Sequence, residues 1–152
     1  MPNTIPQTTT VKELKRKFKI AEASSYANYS FMFGATNSNL EEIKKIDKNE
    51  VAALKIFLGS STGNMLVDDQ DILRDIFLNT DLIIVVHSED EQIINENLEK
   101  YKSKYGSNIP FEFHSKIRSE EACLKSTKKI IKLAKETNAR LHVFHLSTNQ
   151  NL

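Results

Sequence analysis

The sequence predicts an α/β protein built on a parallel sheet, and three observations carry that expectation. Apolar residues change period repeatedly along the chain, from helical spacing to strand spacing and back. Strand-like segments alternate with helix-like ones, the order that right-handed βαβ units require. The most apolar strand, Leu82 to His87, is hydrophobic at successive positions, as expected when helices or a core cover both faces.

The elements follow in order. Val11 to Ser25 reads as a helix, with Val11, Leu14, Phe18 and Ala21 near one face. Asn28 to Phe33 reads as an aromatic-rich strand ended by Gly34. Leu40 to Lys48 is expected as a short helix capped by Ser38 or Asn39. Ala52 to Leu58 is a strand, apolar except for Lys55, and Gly59 to Gly63 is a loop. Asp69 to Asn79 is a helix, Leu82 to His87 a strand, and Glu89 to Tyr105 a long helix closed by Gly106. Phe111 to Ile117 reads as irregular or weakly extended. Ser119 to Asn138 is a helix with Ser119 as cap and Glu120 and Glu121 in its first turn. Arg140 to His145 is the last strand.

The chain has 152 residues, enough for one domain and too few for a complete barrel of eight βα units, which takes roughly 250. No linker or low-complexity tract divides it, so residues 1–152 are expected to form a single domain. Its 21 basic and 20 acidic residues give no electrostatic reason to expect nucleic acid or an anionic membrane as partner. The longest apolar run, Leu82 to Val86, is far short of a membrane span. Cys123 is the sole cysteine, which points to a reducing, cytoplasmic setting. Fingerprints of nucleotide-binding open sheets, a Gly-x-Gly-x-x-Gly turn or a P-loop, are missing. An open doubly wound sheet and part of a closed barrel both fit this pattern.

Three polar residues interrupt apolar strands. Lys55 shares a strand face with Ala53 and Phe57, where an ammonium is costly unless paired, neutralised or modified. Its plain structural reading is an edge lysine that snorkels to water. His87 and His145 each end a strand, where parallel α/β proteins place their sites. Imidazole is a common zinc ligand. A desolvated lysine amine, once neutral, can react with carbon dioxide to give a carbamate, a carboxylate-like metal bridge. His142, three residues before His145, is expected on the opposite face, against the covering helices. Glu89 and Asp90 read as a first-turn acidic pair, and Arg118 as the partner of some carboxylate.

Six segments together resemble the dihydroorotases of the amidohydrolase superfamily, which are metal-dependent (β/α)₈ barrels. They are Met1-Pro-Asn-Thr-Ile-Pro6, Asn28-Tyr-Ser-Phe-Met-Phe-Gly-Ala-Thr36, Lys55-Ile-Phe-Leu-Gly-Ser-Ser-Thr-Gly-Asn64, His87-Ser-Glu-Asp90, Ile117-Arg-Ser-Glu-Glu-Ala-Cys123 and Leu141-His-Val-Phe-His-Leu-Ser-Thr148. They run in the family's order across nearly the whole chain. Hydantoinases and dihydropyrimidinases share the lysine and both histidines, and the Met-Pro-Asn-Thr start favours dihydroorotase.

The resemblance implies a partial (β/α)₈ barrel, roughly strands three to six with their helices. It implies a binuclear zinc site in which carbamylated Lys55 bridges the metals and His87 and His145 ligate one of them. Asn3 would bind the α-carboxylate of a small-molecule substrate. The implied reaction is reversible hydrolysis of the dihydroorotate ring amide to N-carbamoyl-aspartate, in pyrimidine biosynthesis. The family's His-x-His pair and catalytic aspartate are missing from this sequence, so no catalytic residue is assigned within it. The expectation is therefore a fragment of a longer protein, inactive alone, whose open sheet edges favour self-association as a homo-oligomer. A hydantoinase-like or dihydropyrimidinase-like cyclic amidohydrolase is the alternative, as is a non-catalytic fragment or pseudoenzyme serving as a binding partner.

Overall fold

The structure, a computed structural model, describes residues 1–59, 64–146 and 148. Four strands form one sheet: β1 (Met32–Gly34), β2 (Ala53–Phe57), β3 (Ile84–His87) and β4 (Leu141–Val143). They lie side by side in chain order and every neighbouring pair is parallel. A doubly wound sheet reverses its strand order at a switch point. Here the order never reverses, as in a stretch of (β/α)₈ barrel.

Register fixes which residues share a face. Gly34 pairs with Lys55, Lys55 with Val85, and Val85 with His142. The alternate set, Phe33, Leu54, Ile56, Ile84 and Val86, joins the main core with Leu14, Ile43, Leu73, Ile76, Phe77, Ile130 and Ala134. These last residues come from α1 (Val11–Ser24), α2 (Leu40–Ile43), α3 (Gln70–Leu78) and α6 (Glu120–Thr137). All four helices thus cover one face, and Lys55, Phe57, Val85 and His142 belong to the other. In a barrel that other face is the interior.

Helix ends follow the side chains that cap them. Thr10, Asp69 and Ser119 each accept a first-turn N–H, and Asp90 does so for α4 (Glu91–Tyr105). Gly106 follows α4 with a φ of 63°, the left-handed conformation that favours glycine there. A small second cluster of Ile93, Ile94 and Ala122, joined by Ile117, holds α4 against α6 and α5 (His114–Ile117).

The structure departs from the sequence reading in four places. Residues 28–31 stay outside β1, and Tyr29 and Phe31 instead pack on Phe18 of α1. The helix expected over Leu40 to Lys48 stops at Ile43. Asn39 precedes it but makes no cap bond. Its amide accepts from Thr36 N–H and donates to the carbonyls of Thr9 and Gly34, tying the N-terminal segment to the end of β1. Residues 111–117 are helical, a 3₁₀ turn followed by α5, because Phe113 stacks on Tyr101 and Tyr105 of α4. Finally, β4 ends at Val143, and His142 lies on the Lys55 face rather than against the helices.

Candidate functional site

At the carboxyl edge of the sheet, His87 and His145 meet. His87 Nδ1 lies 3.1 Å from His145 Nε2. His87 is the last residue of β3 and keeps strand geometry. His145 lies two residues past β4 and has a φ of 40°. This left-handed turn takes it out of simple strand alternation. His142 and His145 were expected on opposite faces, yet the ring of His142 lies on the Lys55 face while His145 reaches His87 on the neighbouring strand.

Lys55 is fully buried, and its Nζ has no hydrogen-bond partner among the described residues. It is therefore not the snorkelling edge lysine of the plain reading. Its ammonium lies 4.6 Å from the ring centroids of both Phe57 and Phe144. Burial pulls its pKa from 10.5 down to about 8. Pro2 and Met65 lie over Gly34, its register partner, where an added Cβ would come within 2.9 Å of Pro2. The amine is thus held among apolar groups, and its lowered pKa raises the share of the neutral form, the state that reacts with carbon dioxide.

Two residues that the sequence reading left in structural roles belong to this site. Glu89 Oε2 lies 2.5 Å from His87 Nε2, and Arg118 Nε donates to Glu89 Oε1 at 3.1 Å. Arg118 Nη2 also donates to Glu89 Oε2 and lies 3.2 Å from His87 Nε2. Glu89 is not in the first turn of α4; Asp90 is the cap and Glu89 precedes it. Burial acts to raise the Glu89 carboxyl, but hydrogen bonds from His87 and Arg118 outweigh it and hold the group below the usual range. The signal for this role was the His-x-Glu spacing, which on an extended chain puts both side chains on one face. Arg118 meets the carboxylate expected of it.

The histidine pair borders a cavity of about 430 Å³, lined also by Arg118, Ser119, Phe144 and Thr148. Asn3 is exposed, in the segment that Pro2 anchors against Gly34. Gly59 closes against Glu89 from the β2 side. Residues 60–63 of the expected Gly59 to Gly63 loop lie outside the described residues, as does Ser147.

The donors fit a metal ion in part. Two imidazole nitrogens turned toward one another can share one cation, and a neutral Lys55 fits as a ligand after carbamylation. Among the described residues, no group of three or more His, Cys, Asp and Glu side chains gathers for a metal. No helix among the described residues is long and apolar enough to cross a membrane.

No family model matches the chain. Among curated relatives, it is 28% identical to a dihydroorotase of Methanosphaera stadtmanae over 152 residues, 100% of this chain and 34% of that protein. It is 28% identical to a dihydroorotase of Thermococcus kodakarensis, covering 97% of this chain and 30% of the relative. An allantoinase of Streptomyces avermitilis is 25% identical over 99% of this chain and 33% of its own. Among solved structures, the L-hydantoinase of Arthrobacter aurescens superposes with a TM-score of 0.90 at 26% identity, over 99% of this chain and 34% of that one. A D-hydantoinase structure, at 17% identity and a TM-score of 0.80, supports the fold alone. The homologues of this chain are thus dihydroorotases, allantoinases and hydantoinases, cyclic amidohydrolases of which it spans about a third of the length.

Proposed function

We propose that this chain contributes the Lys55, His87 and His145 ligands of a zinc-dependent cyclic amidohydrolase acting on dihydroorotate. The observation that carries the reading is the His87–His145 approach of 3.1 Å beside a face that buries a lysine amine with no hydrogen-bond partner among the described residues. A structural lysine would be expected to reach water or an anion. A carbamylated one would carry a carboxylate-like charge suited to holding a metal ion. Zinc bound there supplies Lewis-acid polarisation of the ring amide. His87 and His145 orient it, Phe57 and Phe144 exclude water from the Lys55 stem, and Asn3 offers an amide donor for the substrate carboxylate. The setting is cytoplasmic, in pyrimidine synthesis.

A second reading, hydrolysis of a hydantoin ring, is favoured by the TM-score of 0.90 against L-hydantoinase. Both readings share the metal ligands and differ in the substrate carboxylate, which dihydroorotate carries and an unsubstituted hydantoin lacks. The test is a chimaera in which this chain replaces the matching third of the Methanosphaera dihydroorotase. Turnover of dihydroorotate is expected, lost in Lys55→Ala and partly restored by short carboxylic acids that stand in for the carbamate. Full activity in Lys55→Ala would remove the proposed role, and turnover of hydantoin but not dihydroorotate would favour the second reading.

A further inference from the structure

We propose that Glu89, held by Arg118, is a positioning residue that fixes His87 as its Nε2–H tautomer and so turns the Nδ1 lone pair toward His145. The inference rests on the metal-site reading above only where zinc enters.

The shorter contact decides the tautomer: His87 Nε2 lies 2.5 Å from Glu89 Oε2 and 3.2 Å from Arg118 Nη2, whose guanidinium is already donating to the Glu89 carboxylate. A carboxylate oxygen 2.5 Å from a bare imidazole lone pair would set two electron-rich atoms against each other. The contact is favourable only if Nε2 carries the proton and donates it. Nδ1 is then the free acceptor of the neutral ring, and it is Nδ1 that lies 3.1 Å from His145. In the metal-free chain His145 Nε2–H donates across that gap.

Glu89 is itself held from several sides. The Arg118 guanidinium grips both carboxylate oxygens, with the Glu89 side chain 14% exposed and that of Arg118 24% exposed. On the chain before it, Ser88 donates to Ser126 at 2.9 Å and accepts from Thr127 at 3.2 Å, all buried. On the chain after it, Asp90 N–H donates to the Ala122 carbonyl at 3.0 Å. A Cβ on Gly59 would lie 2.6 Å from the Glu89 carbonyl oxygen, so glycine there lets the β2 loop close on this backbone. An orienting carboxylate behind a ligating imidazole is worth about tenfold to hundredfold in metal affinity.

The test is the protonation pattern of the His87 ring nitrogens in the zinc-free full chain, read by nitrogen–proton NMR correlation, with zinc affinity as a second readout. The wild type should show a protonated Nε2 and a bare Nδ1. Glu89→Ala should give a tautomer mixture and about tenfold to hundredfold weaker zinc binding, with the circular dichroism unchanged. Glu89→Gln keeps an acceptor oxygen and should restore most of both. A protonated Nδ1 with bare Nε2 in the wild type overturns the proposal, and that measurement needs no variant to fold. A Glu89→Ala chain with the wild-type tautomer also overturns it. Absence of zinc binding in the wild type would count against the metal-site reading and leave the tautomer result to decide this one.

Discussion

Replacing Lys55 with Met should stabilise the chain at neutral pH. The side chain is fully buried and its amine has no hydrogen-bond partner among the described residues, so the folded state carries a desolvated ammonium below pH 8 or so. The drop from 10.5 to about 8 corresponds to roughly 3 kcal/mol of preference for the neutral form. The sign follows from linkage: between these values the unfolded chain binds the proton and the folded chain does not, so wild-type stability rises with pH across that window. The penalty is complete below the folded pKa and gone above the unfolded one. Contacts of the ammonium with Phe57 and Phe144 return part of it, about 0.5–2 kcal/mol. Met fills nearly the same volume and retains favourable sulfur–aromatic contacts. The expected net gain for Lys55→Met is therefore about 2 kcal/mol near neutral pH, shrinking toward zero above the unfolded lysine pKa. Urea unfolding of both chains in buffer freed of carbon dioxide, at several pH values, measures it. A variant less stable than wild type at neutral pH, or a gain that does not change with pH, would show that the buried ammonium carries no such penalty.

Other perturbations follow from the same geometry. Gly59→Ala forces a Cβ against the Glu89 carbonyl and should cost about 1–3 kcal/mol in thermal unfolding, whereas a loop glycine chosen only for its turn would cost little. Asp90→Ala removes the α4 cap and strands Lys125 and Lys129, for a loss of about 1–2 kcal/mol. Burial acts to raise the Asp90 carboxyl, but the Ile93 N–H and Lys125 outweigh it and lower its pKa. Its contribution is thus present above the ordinary carboxylate range and lost in acid, and denaturant titrations should show the gap between the two chains closing as pH falls. Ser88→Ala leaves buried Ser126 and Thr127 without their shared partner and should cost about 1–3 kcal/mol, seen as a lower urea midpoint.

Much of the fold is written locally. Ser119 announces the helix that follows it, and the apolar runs at 53–57 and 84–87 are the two central strands, whereas Asp69 and Asp90, read as helical residues, are the caps of their helices. Parallel order follows from the alternation of elements, but the choice between open sheet and barrel-type winding needed the observed strand order. What sequence periodicity missed was decided by distant contacts. Aromatics at 111–113 look extended until Tyr101 and Tyr105 supply a stacking surface. Aromatics at 29 and 31 turn to Phe18 rather than to a neighbouring strand. At the site, Lys55, His87 and His145 stand out because polar groups in apolar strands are costly. Glu89 was hidden by a plausible local role, since an acidic residue near a helix start usually serves the helix. The left-handed backbone at His145 had no warning, because neither glycine nor asparagine marks it.

If His87, His145 and Lys55 form one metal-binding group, calorimetric titration of the chain with zinc, with and without bicarbonate, should show it. Binding should tighten with bicarbonate, lose that response in Lys55→Met, and vanish in His145→Ala. An isotherm for His145→Ala that matches wild type in both buffers would rule the shared group out.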